Sequence, residues 1–160
     1  MKLYHGSLQI VKEPQIIIPD RTLDYGVGFY TTTSSKQAKE WTIRKLKGKK
    51  VGYVNVYEFD EKSAAKLKRL IFCNPPADDW LDFVHYNRTK RGFSHSYDLV
   101  FGPVANDRVY AAFALYENGL LNKQELIAEL KTYKLIDQVL FHTERALETL
   151  TFIKATEVKL

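Results

Sequence analysis

Four polar residues stand out as groups that could hold and orient a ligand. His5 lies at a turn after the first apolar stretch, and Tyr30 follows a pair of glycines in GVGFY. Gln138 and Glu144 lie near the last predicted strands. A tyrosine ring offers a flat stacking surface, whereas histidine and glutamine offer hydrogen bonds. Of the last two residues only Glu144 carries a charge. Gln138 carries a neutral amide, which can neither act as a base nor balance a cation.

Common catalytic motifs do not occur in the chain. The sequence has no GxGxxG or Walker loop, no HExxH, no CxxC and no GxSxG. His85 and His95 have no third ligand at metal spacing. Simple metal chemistry and a serine nucleophile are therefore disfavoured.

The elements that must position these residues alternate without a strict strand–helix–strand order. This pattern predicts a single α+β domain over residues 1–160. A helix is expected to begin near Ser34, with Gln37 completing a capping box, and a second box is expected at Asn122 and Glu125. Strands are predicted at KLYHGS, GFYTTT, VGYVNVYEF, SYDLVFGPV, DQVLFH and TFIKATEVKL, with an edge segment at PQIIIP. Helices are predicted around 61–72 and 78–88, in NDRVYAAFALYENG and NKQELIAELK, and in TERALETL.

Charge and composition allow many functions. Hydrophobic residues make up 45% and charged residues 27% of the chain, which is ordinary globular composition. The formal net charge is +5, which favours acidic partners only weakly. Solvated surface is the simplest interpretation of the basic runs, and a phosphate-rich ligand or nucleic acid is the alternative. These runs are RKLKGKK (44–50), KLKR (66–69) and NRTKR (87–91).

Cysteine content favours a reducing compartment. Cys73 is the single cysteine, so no internal disulfide can form, and we expect a cytoplasmic location. Its setting in LIFCNPP predicts a structural cysteine packed under a turn. MKLYHGS lacks the apolar stretch of a signal peptide, and no apolar run reaches the roughly 18 residues of a membrane span.

Two motifs carry a resemblance to a known superfamily. LYHGS, followed about 25 residues later by GVGFYTTTSSKQA, resembles the first two signature motifs of the ADP-ribosyltransferases, in the diphtheria-toxin-like and poly(ADP-ribose) polymerase branch. DLVFGPVANDRVYAAFALYENG and DQVLFHTERALETLTF extend the resemblance over nearly the whole chain, to a bacterial family called domain of unknown function 3990. The superfamily fold this implies is a split, mostly antiparallel set of β-sheets with flanking helices around an NAD cleft.

The resemblance implies a role for each of four residues. His5 would bind a ribose hydroxyl, and the Gly6 backbone would face the nicotinamide carboxamide, where a side chain would block the ligand. Tyr30 would stack on the nicotinamide ring, and Trp41 would form the opposite wall. Apart from the resemblance, the fork of donors on Arg88 suits a pyrophosphate, so this residue could contact the cofactor or the acceptor.

The third member of the superfamily's His-Tyr-Glu triad has two candidates in this sequence. The matching strand, DQVLFHT, offers Gln138, which could bind the ribose 2′-hydroxyl. Glu144 is the alternative, although it falls in the following helix, where its simplest role is to favour the helix N-terminus. We expect Gln138 to be the site residue, which would give a single-transfer or impaired enzyme.

Each residue also has a structural interpretation. His5 could be a turn residue capped with Ser7, and Tyr30 and Trp41 could fill the core. Arg88 could belong to a solvated basic surface.

The resemblance implies a mono-ADP-ribosyltransferase that uses NAD⁺ as its substrate and needs no metal. Its acceptor would be a protein or a nucleic acid, and a bacterial toxin paired with an antitoxin is one role that this suggests. The alternative is an NAD- or nucleic-acid-binding module without turnover. An RNA-directed phosphotransferase of related fold is disfavoured, because that branch favours paired histidines and arginines that this sequence lacks.

Overall fold

The computed structural model describes residues 1–159 of the chain. These residues form seven strands and six helices in mixed order, which confirms the predicted α+β class. The strands are Lys2–Ser7 (β1), Phe29–Thr32 (β2), Gly52–Phe59 (β3), Arg69–Ile71 (β4), Leu99–Pro103 (β5), Asp137–Phe141 (β6) and Leu150–Val158 (β7). The helices are Ser35–Leu46 (α1), Glu61–Ala64 (α2), Asp78–Thr89 (α3), Asp107–Glu117 (α4), Lys123–Leu130 (α5) and Glu144–Leu147 (α6). None of these helices combines the length and apolar character that a bilayer crossing requires.

The strands form one sheet in the order β4-β5-β6-β2-β1-β3-β7. Only β4 and β5 run parallel, so the sheet is mostly antiparallel, as predicted. The expected division into separate sheets is replaced by a narrow join, because β1 and β2 share a single register pair, Tyr4 with Thr32. By contrast, β1 pairs with β3 at six positions. The strands on either side of this join therefore diverge beyond Tyr4 towards the end of β1.

The sheet buries apolar residues on both faces. Strand alternation sends Val100 and Leu140 into one core and Leu99 and Phe141 into the other. The first core lies under α3, α4 and α5, and its largest fully buried side chain is Trp80. On α4, Val109 and Phe113 are both fully buried in this core. Both sides of the sheet thus hold the central strands in place.

Helix caps follow the predicted pattern with one difference. The side chain of Ser34 accepts a hydrogen bond from the Gln37 backbone nitrogen at 3.2 Å, so α1 begins where expected. The Gln37 side chain bonds the Thr32 hydroxyl instead of closing a capping box. The box of Asn122 and Glu125 is formed in both directions.

Three local predictions are wrong. The helix predicted over 61–72 ends at Ala64, and residues 69–71 form β4, because parallel pairing with β5 overrides a local helical pattern. PQIIIP forms no strand, since its prolines lack backbone donors and Ile17 and Ile18 stay exposed. Cys73 is exposed and not packed under a turn.

Candidate functional site

A cavity of about 630 Å³ lies beside the narrow join between β1 and β2. Its walls come from both strands, from α1, α3 and α4, from Gln138 on β6 and from residues 21–24, which precede β2. Its size falls within the usual range of small-molecule pockets. All six site residues predicted from the sequence line it: His5, Gly6, Tyr30, Trp41, Arg88 and Gln138.

His5 is held as a neutral ring across the join. Its Nδ1 lies 2.7 Å from the Tyr30 carbonyl oxygen, and its ring centroid is 4.4 Å from that of Phe29. Burial lowers the pKa of His5 to about 4, and the nearby Lys45 ammonium acts in the same direction. Because a carbonyl can only accept, Nδ1 must carry the proton and donate it. The neutral ring is left with Nε2 as an acceptor, which suits a ligand hydroxyl.

Gly6 is required by the protein's own packing. A Cβ at this position would lie 2.3 Å from the Ala38 carbonyl oxygen and 2.7 Å from the Thr42 hydroxyl, so β1 and α1 could not pack as they do. The resemblance attributes this glycine to the close approach of a ligand, and the packing of α1 on β1 is in itself a sufficient reason for it. The Gly6 carbonyl accepts a hydrogen bond from Lys45 Nζ at 3.0 Å. A carbonyl has two lone pairs, so one acceptor site remains for a ligand.

Tyr30 both lines the cavity and anchors the loop before it. Its ring packs partly against the core under α3. Its hydroxyl donates to the Gly26 carbonyl at 2.6 Å and accepts from the Tyr25 backbone nitrogen at 3.1 Å. Gly28 lies at a positive φ of 151°, and a Cβ there would meet the Phe141 carbonyl oxygen of β6 at 2.3 Å. The glycine before Tyr30 therefore serves the join to β6, and the tyrosine has both a structural and a cavity-facing role.

Gln138 and Glu144 lie in different surroundings. Gln138 is 6% exposed, pairs with Thr32 of β2, and lines the cavity. Its Nε2 is buried and finds no hydrogen-bond partner among residues 1–159. A buried donor without a partner is costly, and a ligand acceptor would satisfy it. Glu144 is exposed at the start of α6 and does not line the cavity.

Trp41 and Arg88 lie on α1 and α3 respectively. Trp41 is 40% exposed, so it is not a core residue, and Lys45 Nζ lies 5.5 Å from its ring centroid. The Arg88 guanidinium stacks 4.6 Å from the ring centroid of Tyr110. Its Nη1 is buried and without a partner in the part of the chain that the structure describes. This nitrogen is a second donor that a ligand could satisfy.

The cavity also contains charged residues that received no individual role from the sequence. Asp24 is 8% exposed, and Tyr110, on α4, lies with its hydroxyl 3.4 Å from both carboxylate oxygens. Burial raises the pKa of Asp24 to about 6, against the opposing effects of Arg88, Tyr110 and Arg21. The sequence offers one signal for Asp24, since this residue begins the glycine-flanked stretch DYGVGFY. The functional interest of Asp24 depends on its burial, which the sequence does not show.

The basic runs contribute to this cavity. Arg44 and Lys45 come from the first run and Arg88 from the third, so these three are not simply solvated surface. Arg44 pairs with Asp107 at 3.4 Å, linking α1 to the start of α4. The site thus offers hydrogen-bond donors, a neutral histidine acceptor, cations and one buried carboxyl group. Such a set can bind a ligand that carries hydroxyl groups and negative charge.

Comparison with known proteins gives one match. A family model described as a protein of unknown function (DUF3990) matches residues 1–152. Searches of curated proteins and of solved structures found no significant match. The family resemblance predicted from the sequence is confirmed, and the superfamily and its chemistry stay predictions.

Proposed function

This chain belongs to the DUF3990 family, and we propose that its cavity binds NAD⁺ and that the protein transfers ADP-ribose from it to a macromolecular acceptor. The observation that carries the proposal is the convergence of His5, Gly6, Tyr30, Trp41, Arg88 and Gln138 on one cavity. These residues are separated by up to 133 positions in the chain, and the sequence alone predicts each of them as a site residue.

The proposal includes an ADP-ribosyltransferase-like fold. A sheet whose two halves meet at one register pair, with the cavity beside that pair, is compatible with the split sheets expected of such a fold. His5 and Tyr30 lie on the two strands at this junction and are joined by the hydrogen bond between His5 Nδ1 and the Tyr30 carbonyl. This bond fixes the relative position of the two residues expected to hold the nicotinamide riboside.

Two unpartnered donors support an NAD⁺-like ligand. The Gln138 Nε2 is placed to donate to a ribose oxygen, and the Arg88 Nη1 to donate to a pyrophosphate oxygen. His5 Nε2 can accept a bond from a ribose hydroxyl, since the ring is neutral above a pKa of about 4. Tyr30 and Trp41 would enclose the nicotinamide ring by stacking.

The proposed reaction requires no redox step. The bond between ribose C1′ and the nicotinamide nitrogen breaks, and its electron pair leaves with nicotinamide, which becomes neutral. A nucleophilic atom of the acceptor bonds to C1′, and its proton passes to solvent or to a nearby base. The protein's task is to fix the geometry and to stabilise the positive charge that develops on the ribose.

Gln138 favours a single transfer over chain building, because an amide cannot deprotonate a second ribose hydroxyl. We propose a protein or nucleic acid as the acceptor and a cytoplasmic setting. A toxin held in check by an antitoxin is the role that we infer from the family resemblance. The net charge of +5 is compatible with an acidic acceptor.

A binding module without turnover is the second candidate. It is favoured by one observation, namely that Gln138 lines the cavity while Glu144 does not. An amide can fix the ribose in the ground state, but it adds little as the ribose becomes cationic, and only the latter interaction raises the rate.

Two measurements on the same samples separate the candidates: NAD⁺ affinity by calorimetry and nicotinamide release by chromatography. We expect binding and slow release by the wild type, slower release by Gln138→Ala, and unchanged or faster release by Gln138→Glu. Binding without release would support the binding module. Loss of release in Glu144→Gln, with a mild effect of Gln138→Ala, would make Glu144 the third site residue. No binding at millimolar NAD⁺ would overturn the transferase and an NAD-binding module, and would leave a nucleic-acid-binding module as the remaining alternative.

A further inference from the structure

The buried carboxyl group of Asp24 has few partners for its position. Its Tyr110 contact is long for a hydrogen bond, and no ion pair joins it to Arg88 or Arg21 within 4.0 Å in residues 1–159. Ionised carboxylates are rarely buried in this way, because desolvation is expensive unless hydrogen bonds or a close cation compensate. The two oxygens of Asp24 thus keep acceptor capacity at the cavity wall.

The backbone around Asp24 is firmly held, while its buried side chain makes few hydrogen bonds. The next residue, Tyr25, is fully buried, and its hydroxyl donates to the Pro103 carbonyl at 2.8 Å and accepts from Trp80 Nε1 at 2.8 Å. The Tyr25 carbonyl lies 2.8 Å from His95 Nε2, and the Tyr25 nitrogen donates to the Tyr30 hydroxyl. These bonds fix the main chain next to Asp24, and burial in the cavity wall confines its carboxyl group while leaving the oxygens available to a ligand. A negative charge confined in this way can stabilise a developing cation.

We propose that Asp24 supplies the negative charge that stabilises the ribose during cleavage of NAD⁺, the task that the neutral Gln138 cannot perform. In this arrangement Gln138 positions the ribose through a hydrogen bond, and Asp24 faces the sugar as C1′ becomes cationic. The inference rests on the proposed function, because it assigns a catalytic residue to that reaction. No covalent bond forms to Asp24, and the electron pair of the broken bond still leaves with nicotinamide.

The surroundings of Asp24 make its charge depend on pH. The groups that face it are Arg88 from α3, Tyr110 from α4, Tyr30 from β2, and Arg21 and Tyr25 from its own segment. Burial raises the pKa of Tyr110 to about 12, and it also raises the pKa values of Tyr25 and Tyr30, so these three stay neutral at ordinary pH. Burial holds the pKa of Asp24 near 6, so the reactive carboxylate form is lost below that pH.

The test measures nicotinamide release from NAD⁺ between pH 5 and pH 8.5, with NAD⁺ affinity measured separately by calorimetry. The proteins are the wild type, Asp24→Asn, Asp24→Glu and Asp20→Asn. Asp20 is the matched control, since it is an exposed aspartate four positions earlier that does not line the cavity. Circular dichroism of each variant checks that it is folded, and Asp24→Glu retains the charge if the amide variant fails that check.

We expect Asp24→Asn to slow release at least about 100-fold at pH 8, the size of effect seen when one preorganised group is removed, with NAD⁺ affinity changed less than threefold. Asp24→Glu should recover part of the rate, and Asp20→Asn should match the wild type. The wild-type rate should rise through about pH 6, and Asp24→Asn should lack this rise.

Two outcomes would overturn the assignment in distinguishable ways. If the wild type releases nicotinamide and Asp24→Asn does so within threefold of its rate, Asp24 is not catalytic and the proposed transferase stands. If the wild type binds NAD⁺ and releases nothing between pH 5 and pH 8.5, the transferase itself fails, and the role of Asp24 fails with it.

Discussion

Asp24 and Asp98 are both buried aspartates, yet their surroundings differ in almost every respect. Asp98 accepts hydrogen bonds from the Lys68 backbone nitrogen, the Thr143 hydroxyl and two nitrogens of Arg145, all between 2.8 and 2.9 Å. Asp24 has the long contact to Tyr110 alone among hydrogen-bond donors of residues 1–159. Asp98 links the β5 strand to α6, whereas Asp24 faces a cavity.

The pKa values of the two carboxyl groups shift in opposite directions. Burial by itself would raise the pKa of Asp98, but hydrogen bonds from Arg145, Lys68 and Thr143 hold it below its ordinary value. Burial raises the pKa of Asp24 to about 6, because nothing of similar strength opposes it. A buried charge that is fully bonded stabilises the fold, whereas one that is left with few bonds costs stability and is available to a ligand.

The largest expected effect is at Asp98. Asp98→Asn should lower the free energy of unfolding by about 3 kcal/mol at pH 7. The amide loses the ion pair with Arg145, and its NH₂ group then faces groups that are themselves hydrogen-bond donors. Urea denaturation measures the loss, and Asp20→Asn should show none. NAD⁺ affinity should be unchanged. A weaker affinity with intact stability would place Asp98 in the functional site and remove the contrast with Asp24.

The Asp24→Asn substitution should raise the free energy of unfolding, whereas Asp98→Asn lowers it. The ordinary pKa of an aspartate is 3.8 and the folded pKa of Asp24 is about 6, so folding is penalised as pH rises through that interval. The variant should be more stable than the wild type at pH 8, on the order of 2–3 kcal/mol, and nearly equal to it at pH 3.8 or below. Asp98 behaves conversely. Its lowered pKa contributes to the stability of the fold, and this contribution is lost only as pH falls below 3.8.

Urea denaturation of the wild type and Asp24→Asn at low pH and at pH 8 tests this sign. A difference between the two proteins that is the same at both pH values would show that the carboxyl group does not titrate as its burial requires. A variant that is more stable and less active would identify Asp24 as a residue that serves function at a cost to folding.

The smallest expected effect concerns the support of Asp24 by Tyr30. Tyr30→Phe removes the hydroxyl that bonds Gly26 and Tyr25, so it should slow nicotinamide release a few-fold while NAD⁺ affinity stays near wild type. Tyr30→Ala should also weaken affinity by about 1 kcal/mol, through loss of the stacking surface. Calorimetry and release assays on both variants separate the two roles. Wild-type affinity in Tyr30→Ala would assign this residue to the core alone.

Local sequence patterns were sufficient for most of the elements. β3 was predicted from alternation, β2 from its aromatic and β-branched residues, and α5 from its capping box, because these signals act between near neighbours. β4 was missed, since a three-residue strand is defined by its partner β5 and not by its own residues. Gly6 was assigned to the site for the close approach of a ligand, and the structure adds a reason that the sequence does not show, namely the close approach of α1.

The sequence by itself determined the family, the α+β class and the candidate site residues His5, Tyr30 and Gln138. These depend on motifs and on the spacing of apolar residues, which a linear chain displays directly. The tertiary structure alone decided that Glu144 lies outside the cavity and that Asp24 lies inside it. The physical reason is that a carboxylate becomes reactive through burial and lack of partners, and both are set by residues distant in sequence, such as Arg88 and Tyr110.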